Sequence, residues 1–297
     1  MRHAIETHGL TKQWGDLVAV DDLSIRVEAG ECYAFLGRNG SGKSTTARML
    51  LDFIRPTRGT ARVLDGAGGD PNIRARVGYL PGDLNLAGNT TAHEAFMFFG
   101  SLAATPDRRR LDDLIERFGL DPTRPVRELS TGNRRKVGLI LAFMGRPELL
   151  ILDEPTSGLD PVLQEEFREL LAERKAEGAT IWLTSHVMAE VERVADRVGL
   201  IRDGRLAREL TMADLRRQTT GRVVFTFAGR TDPAAFEGLP GVQEVDAGGE
   251  ADELTVTLNG SAAAALSTAG RLGATAVRTE RRDLDDVFLD LFEESRR

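Results

Sequence analysis

The fold of this chain is decided by the octapeptide Gly37-Arg38-Asn39-Gly40-Ser41-Gly42-Lys43-Ser44, which matches the pattern G-x-x-x-x-G-K-[S/T]. It follows the short apolar run Cys32–Leu36 and precedes the stretch Thr45–Ile54, in which apolar residues recur with helical spacing. This order predicts a strand, a glycine-rich loop and a helix. A phosphate-binding loop requires these flanking elements, whereas a chance glycine-rich turn beside a lysine does not.

Each residue type in the loop has a chemical reason to bind phosphate. Gly37, Gly40 and Gly42 permit backbone conformations that let consecutive N–H groups turn toward phosphates at a helix N-terminus. Lys43 supplies a positive charge for the outer phosphates, and Ser44 can offer its hydroxyl to Mg²⁺. The predicted ATP-binding residues of the loop are Gly37, Arg38, Asn39, Gly40, Ser41, Gly42, Lys43, Ser44 and Thr45.

Strands and helices are expected to alternate further along the chain. The apolar runs Leu149–Leu152 and Thr180–Thr184 are typical of strands that are buried on both faces of a parallel sheet. Between them, Asp160 can cap a helix, Pro161 suits its first position and Gly178 can end it. The apolar stripe expected for this helix consists of Val162, Leu163, Phe167, Leu170 and Leu171. This alternation predicts an α/β domain.

Ionisable side chains follow both of these strands. Asp153 and Glu154 come directly after the first strand, and His186 follows the second by two residues. Because such folds bind ligands at the carboxyl ends of their strands, we expect all three side chains near the phosphates. Asp153 is the predicted Mg²⁺ ligand, and Glu154 and His186 are the predicted catalytic residues. Two solvated acids and a solvated or capping histidine are the alternatives.

Length, charge and composition limit the classes of function. With 297 residues the chain is long enough for two domains, and its net charge of −7 argues against nucleic acid as a partner. The basic clusters Arg108–Arg110 and Arg134–Lys136 are interpreted as solvated helix faces. Cys32 lies in an apolar run, which favours a buried thiol and a reducing compartment. No apolar stretch approaches about 18 residues, so we do not expect this chain to span a bilayer by itself.

The composition and residue pattern of the sequence change at two points. Residues 89–135 are predicted to form a helical insert in a first domain, 1–217. Residues 218–297 are predicted to form a small accessory α+β domain of the ferredoxin-like pattern βαββαβ. Its expected strands are Arg222–Phe227, Val242–Val245, Glu253–Leu258 and Thr275–Thr279, with helices around Pro233–Phe236 and Ser261–Leu272 and a final helix Leu284–Phe292.

These pieces, in this order, resemble the ATP-binding subunits of ABC transporters, whose first domain has the P-loop NTPase fold. The resemblance is most specific at Leu129-Ser130-Thr131-Gly132-Asn133, which is similar to the family's signature motif, although Thr131 and Asn133 depart from its commonest form. In that family the signature motif of one protomer covers the ATP bound to the phosphate loop of the other. The resemblance therefore implies a homodimer that is joined through its ATP sites.

Further positions match the family pattern. Ser157-Gly158-Leu159-Asp160 is similar to the loop that crosses between protomers, His186 to the switch histidine, and Trp14 to the aromatic on which adenine stacks. A buried core aromatic is the alternative for Trp14. Gly82 stands where the family commonly has a glutamine that contacts Mg²⁺ and the attacking water, and Asp83 is the candidate substitute. The resemblance implies that Gly82–Leu86 and the phenylalanines near Phe96 form a docking groove, with core packing as the alternative for the phenylalanines.

The last residues of the sequence point to a particular group within this family. Leu284-Asp285-Asp286-Val287-Phe288-Leu289 is similar to the terminal motif of bacterial multidrug and antibiotic exporter ATPases that carry an added C-terminal domain. This implies a peripheral ATPase at the cytoplasmic face of the membrane that powers a separate permease, exporting drugs, antibiotics or other hydrophobic compounds. A soluble ATPase of the same superfamily and an ATP-responsive regulatory module are the alternatives.

Overall fold

Strands and helices alternate along much of the chain in the computed structural model, which describes residues 3–86, 89–104, 107–218, 221–247, 252–258 and 261–281. The chain divides into two compact units, Met1–Met212 and Ala213–Arg297, whereas the sequence placed the domain boundary after residue 217. In chain order, the elements of the first unit are β1 (His3–Trp14), β2 (Leu17–Leu23), β3 (Arg26–Glu28), β4 (Cys32–Leu36), α1 (Lys43–Leu50), β5 (Arg58–Val63), α2 (Pro71–Arg74), β6 (Val77–Leu80), α3 (Ala92–Gly100), α4 (Arg108–Arg117), α5 (Thr131–Phe143), β7 (Leu149–Asp153), α6 (Pro161–Ala176), β8 (Thr180–Ser185), α7 (Met188–Val191), β9 (Arg197–Arg202) and β10 (Arg205–Thr211). They are followed by α8 (Met212–Gln218), β11 (Gly221–Phe227), β12 (Val242–Asp246), β13 (Glu253–Leu258), α9 (Ala263–Arg271) and β14 (Ala274–Arg281).

The central sheet of the first unit has six strands in the order β10-β9-β4-β8-β7-β6. All neighbours from β9 to β6 are parallel, and β10 is antiparallel to β9. Every residue of β4, β7 and β8 is buried, as expected for apolar runs covered on both faces. The prediction of an α/β domain is therefore confirmed.

A second, antiparallel sheet joins β1 to β2, β3 and β5. One core cluster combines Ile5 of β1 and Met49 of α1 with Phe35 and Trp182 of the central sheet. The rings of Phe35 and Trp182 lie 5.4 Å apart between centroids. Because α1 contributes to this core, the helix that follows the phosphate loop is fixed by packing.

Two predicted helical details differ from the structure. Helix α1 ends at Leu50 rather than near Ile54, because Asp52 adopts a left-handed backbone with φ 54° that stops the helix. In α6, Phe167 is buried but Val162 is 78% exposed, although both were placed on one apolar stripe. Five residues of an α-helix rotate through about 500°, which places Val162 roughly 140° around the helix from Phe167.

The segment that was predicted as a helical insert contains α3, α4 and the start of α5. Helix α5 continues beyond residue 135 to Phe143, because its apolar residues keep their helical spacing. On α3, Phe96 is completely buried, whereas Phe98 and Phe99 are exposed. Core packing is thus the correct interpretation for Phe96 alone.

The second unit contains a four-stranded antiparallel sheet in the order β12-β13-β11-β14. Its core includes Phe225 and Val256 from the sheet, Ala265 from α9, and Phe236 from the connection between β11 and β12. The first predicted helix is a single turn of 3-10 helix, Pro233–Ala235, which Asp232 caps. The final helix and the terminal motif lie outside the described residues, and the ferredoxin-like assignment stays a prediction.

Candidate functional site

Three neighbouring parallel strands bring the predicted catalytic residues to one edge of the central sheet. Leu36 of β4 pairs with Ser185 of β8, and Asp153 of β7 pairs with Thr184 of the same strand. The residues that follow these pairs are Gly37, His186 and Glu154. Because parallel strands end together, this register places the phosphate loop beside both catalytic candidates.

The phosphate loop depends on its glycines. Gly42 precedes α1 with φ 108° and Gly40 has φ 82°, both in the region that favours glycine. A Cβ atom on Gly37 would lie 2.5 Å from Oγ of Ser41 and 2.6 Å from the carbonyl oxygen of Ile201. A side chain at these positions would therefore distort the loop, while Arg38 to Gly40 remain exposed to solvent.

Lys43, Glu154 and His186 form one continuous polar network. The Lys43 side chain is only 5% exposed, and its Nζ lies 3.0 Å from Oε1 of Glu154 and donates to the Gly37 carbonyl at 2.6 Å. The other carboxylate oxygen of Glu154, Oε2, lies 2.7 Å from Nδ1 of His186. A buried ammonium needs a paired opposite charge, and the carboxylate of Glu154 supplies it. The structure thus brings together the three residues that were expected to act on the terminal phosphate.

Thr184 binds the side chain of Asp153 and the backbone of Glu154. Its Oγ1 donates to Oδ1 of Asp153 at 2.7 Å and accepts from the backbone N–H of Glu154 at 2.9 Å. Asp153 and Thr184 are both buried. Glu154 has a left-handed backbone with φ 48°, which is uncommon for a residue with a side chain. This turn directs Glu154 toward Lys43 while Asp153 stays in the sheet.

The residues at this edge fit a magnesium ion. Ser44, in the first turn of α1, offers a hydroxyl, and Asp153 offers a carboxylate, and both are hard oxygen ligands of the type that Mg²⁺ takes together with phosphates. Gly82 lies next to the same carboxylate, since a Cβ atom on it would be 3.1 Å from Oδ2 of Asp153. Asp83, the candidate substitute for the missing glutamine, is exposed and lines a surface groove.

Trp14 lies at the end of β1 and is 46% exposed. The alternative that it is a buried core aromatic is therefore wrong. Lys12 Nζ lies 5.2 Å from the centre of its ring, at a distance typical of a cation–π contact. The aromatic surface of Trp14 is available for stacking.

The predicted signature residues surround the start of α5. Ser130 is the N-cap, and its Oγ accepts from the backbone N–H of Asn133 at 3.2 Å. Leu129 is buried below it, while Ser130 and Thr131 are exposed. A Cβ atom on Gly132 would lie 3.5 Å from the carbonyl oxygen of Gly158. The signature motif and the loop Ser157–Asp160 are thus neighbours within one chain.

Comparisons with known proteins agree with this geometry. The model of the ABC transporter family matches residues 20–157. The bacitracin transport ATP-binding protein of Bacillus licheniformis is 36% identical over 223 residues, which are 73% of this chain and 73% of that protein. The chain belongs to the ABC transporter ATP-binding proteins. As an ABC ATPase, it is an ATP-binding chain and an ATP hydrolase.

Two further similarities extend the comparison. Nod factor export ATP-binding protein I of Bradyrhizobium diazoefficiens is 35% identical over 310 residues. The alignment covers 97% of this ABC ATPase and 96% of the Nod factor protein. A bacterial ABC transporter cassette solved as a dimer is 22% identical and superposes with a TM-score of 0.64. This superposition covers 70% of this chain and 98% of that cassette. At this identity, the second similarity shows the fold alone. Among the helices that the structure describes, none combines the length and apolar character needed to cross a bilayer.

One residue of the ABC ATPase site was missed from the sequence. Arg135 was placed in a solvated cluster, but it is 5% exposed. Its Nε donates to the Pro155 carbonyl, Nη1 to the carbonyls of Pro81 and Gly82, and Nη2 to those of Asp153 and Glu154. Burial lowers the pKa of this guanidinium below its ordinary value, and the negative charges of Asp153 and Glu154 oppose part of that effect. Arg135 precedes the buried Gly138 and Leu139 by three and four residues, and this helical spacing was the available signal.

Proposed function

We propose that this ABC ATPase is the ATP-hydrolysing subunit of a bacterial exporter and works as a homodimer that drives a separate membrane-spanning permease. The observation that carries the proposal is an apolar groove beside the catalytic edge of the sheet. Residues of the segment that follows Gly82 line it together with residues of the helical insert, including Leu84, Leu86, Phe99 and Leu102.

Each polar group at the sheet edge has a proposed role. Backbone N–H groups of residues 37–43 and the ammonium of Lys43 bind the phosphates of ATP, and Trp14 stacks on adenine. Mg²⁺, held by Ser44 and Asp153, supplies charge neutralisation for the outer phosphates when bound. Glu154 accepts a proton from the attacking water, and His186 holds the carboxylate of Glu154 through the 2.7 Å contact. The same carboxylate pairs with the ammonium of Lys43, so a phosphate that binds this ammonium frees Glu154 for the task.

The proposed homodimer follows from the exposed signature motif. The first backbone N–H groups of an α-helix have no carbonyl partner within the helix. In α5, the N–H of Asn133 donates to the hydroxyl of Ser130. Such a helix start favours a phosphate. We expect Ser130 and Gly132 to contact the ATP bound to a second copy, and Ser157–Asp160 to lie in the same interface.

The groove explains how hydrolysis would reach a membrane partner. Exposed Phe99 and Leu102 are apolar surface that a partner segment would cover. The segment Pro81–Leu86 lines this groove and includes Gly82, on which a Cβ atom would lie 3.1 Å from Oδ2 of the proposed Mg²⁺ ligand Asp153. The export direction and the hydrophobic class of cargo rest on relatives that are named for Nod factor export and bacitracin transport.

Co-purification tests this proposal. An affinity-tagged chain, extracted with mild detergent from membranes of its own cells, is expected to retain a polytopic membrane protein in equimolar amount. Phe99→Glu is expected to lose that protein while keeping its affinity for ATP, because it places a charge in the groove. Leu266→Glu is the matched control, since Leu266 is similarly exposed, at 45% against 42% for Phe99, and lies on α9.

Two outcomes would contradict the proposal. The absence of any membrane protein in the purified material would favour a soluble ATPase without a pore. Equal recovery of the membrane protein with Phe99→Glu and with the unmodified chain would show that the groove is not the docking site.

A further inference from the structure

The guanidinium of Arg135 uses its whole donor capacity on backbone carbonyls. An arginine side chain has five N–H donors in a fixed planar arrangement. In this chain they meet the carbonyl oxygens of Pro81, Gly82, Asp153, Glu154 and Pro155. Only a planar group with donors on three nitrogens can serve all these acceptors at once.

The five carbonyls belong to two segments that are distant in sequence. Nη1 binds the segment that follows β6, with distances of 2.8 Å to Pro81 and 3.0 Å to Gly82. Nη2 and Nε bind the segment that follows β7, with distances of 2.8 Å to Asp153 and 3.2 Å to Pro155, in addition to Glu154. Arg135 therefore fixes the backbone of Gly82 relative to the end of β7.

The backbone of Glu154 needs such support. A residue with a side chain at φ 48° adopts an unfavourable backbone conformation that persists only when its surroundings determine it. The following residue is Pro155, which further restricts the backbone of Glu154. Three of the five bonds of Arg135 are to residues 153–155. The bond to the Asp153 carbonyl and the Thr184 bond to the N–H of Glu154 hold the two ends of one peptide group.

Arg135 also belongs to the signature helix. It lies on α5, whose N-cap is Ser130, so it connects that helix to the backbone of Asp153 and Glu154. A helix is stiff over this short distance. A displacement of α5 would therefore reach the backbone of Glu154 directly through the guanidinium.

We propose that Arg135 is a positioning residue for ATP hydrolysis, which holds residues 153–155 and Gly82 so that Glu154 faces the terminal phosphate, and which links this geometry to the signature helix. The inference rests on the proposed catalytic role of Glu154. The guanidinium acts through the backbone and has no contact with the reacting atoms.

Substitutions at two buried arginines test the inference. Arg135→Met removes every donor and keeps the length of the side chain, and Arg135→Lys keeps the charge but has only three donors. Arg174→Met is the matched control, because Arg174 is also 5% exposed and donates to a backbone carbonyl, that of Pro147, away from the site. For each protein, kcat, KM for MgATP, affinity for a fluorescent ATP analogue and Tm are measured.

Arg135→Met is expected to lower kcat about 100-fold, the effect of a misplacement of about 1 Å at a catalytic group, and to change KM less than about threefold. Arg135→Lys should recover part of kcat, and faster amide exchange should appear in residues 82–86 and 153–157. Arg174→Met should lower Tm without changing kcat. Normal kcat in Arg135→Met, or a fall in kcat that only matches lost ATP binding and lost folded protein, would overturn the inference.

Glu154→Gln in the same assay separates this inference from the proposed function. If Glu154→Gln retains turnover, the proposed role of Glu154 is wrong. If Glu154→Gln is inactive and Arg135→Met is fully active, the proposed function stands and the positioning role of Arg135 fails.

Discussion

Replacement of Thr184 by valine should lower both the stability of the sheet edge and the rate of ATP hydrolysis. Valine has nearly the same shape as threonine, so the packing of β8 is kept while the hydroxyl is lost. The hydroxyl of Thr184 makes two bonds, to the carboxylate of Asp153 at 2.7 Å and from the N–H of Glu154 at 2.9 Å. Since Thr184 is completely buried, water has little access to replace them.

The expected cost follows from these two bonds. A hydrogen bond to a charged group contributes about 1.5–3 kcal/mol, and a buried N–H left without a partner costs about 1–3 kcal/mol. We therefore expect Thr184→Val to lower the free energy of unfolding of the first unit by about 2.5–6 kcal/mol. For a unit of this size that corresponds to a decrease in Tm of roughly 5–24 °C. Turnover should fall about 100-fold, because Glu154 loses the bond that fixes its N–H.

Thr184→Ser is the matched variant, because it keeps the hydroxyl and loses only a methyl group. Its free energy of unfolding should fall by about 1 kcal/mol and its kcat should stay close to that of the unmodified chain. Denaturant unfolding and steady-state ATP hydrolysis are measured on the three proteins in parallel. The reasoning is refuted if Thr184→Val is as stable and as active as Thr184→Ser, since the hydroxyl would then contribute nothing to either property.

Two other substitutions test single residues of the site. Glu154→Gln should keep ATP binding, abolish turnover and accumulate an ATP-bound dimer, because the amide cannot accept the proton of the attacking water. Size-exclusion chromatography with ATP detects the dimer. Normal turnover would falsify the catalytic assignment of Glu154. Trp14→Ala should raise the Kd for ATP about 5- to 150-fold, since stacking of a base on an aromatic side chain contributes about 1–3 kcal/mol. Trp14→Phe should restore most of the affinity, and an unchanged Kd in Trp14→Ala would exclude adenine stacking.

The sequence predicted the phosphate loop and the edge of the sheet for different physical reasons. Phosphate binding uses consecutive backbone N–H groups, so the loop Gly37–Ser44 is a local pattern. Asp153, Glu154 and His186 come from two distant segments, but parallel strands end together, and this rule was sufficient to place them at one edge. The further contact of Lys43 with Glu154 required the folded structure.

Side-chain environment was the part that sequence patterns could not supply. Phe96 and Phe99 are three residues apart on α3, yet one is buried and the other lines the groove, because the neighbouring helices decide which face is covered. Tryptophan is a residue type that is common in protein cores, yet Trp14 lies exposed at the end of β1. Each of these outcomes depends on what packs against the residue.

By itself, the amino-acid sequence determined the α/β architecture of the first unit, the phosphate loop and the family, since these follow from local spacing and from the direction of parallel strands. The tertiary structure alone decided that Arg135 belongs to the site. A charged side chain on a helix is normally solvated, because burial of a charge is costly without partners. Carbonyls from residues 81–82 and 153–155 supply those partners, and they come together only when the chain is folded.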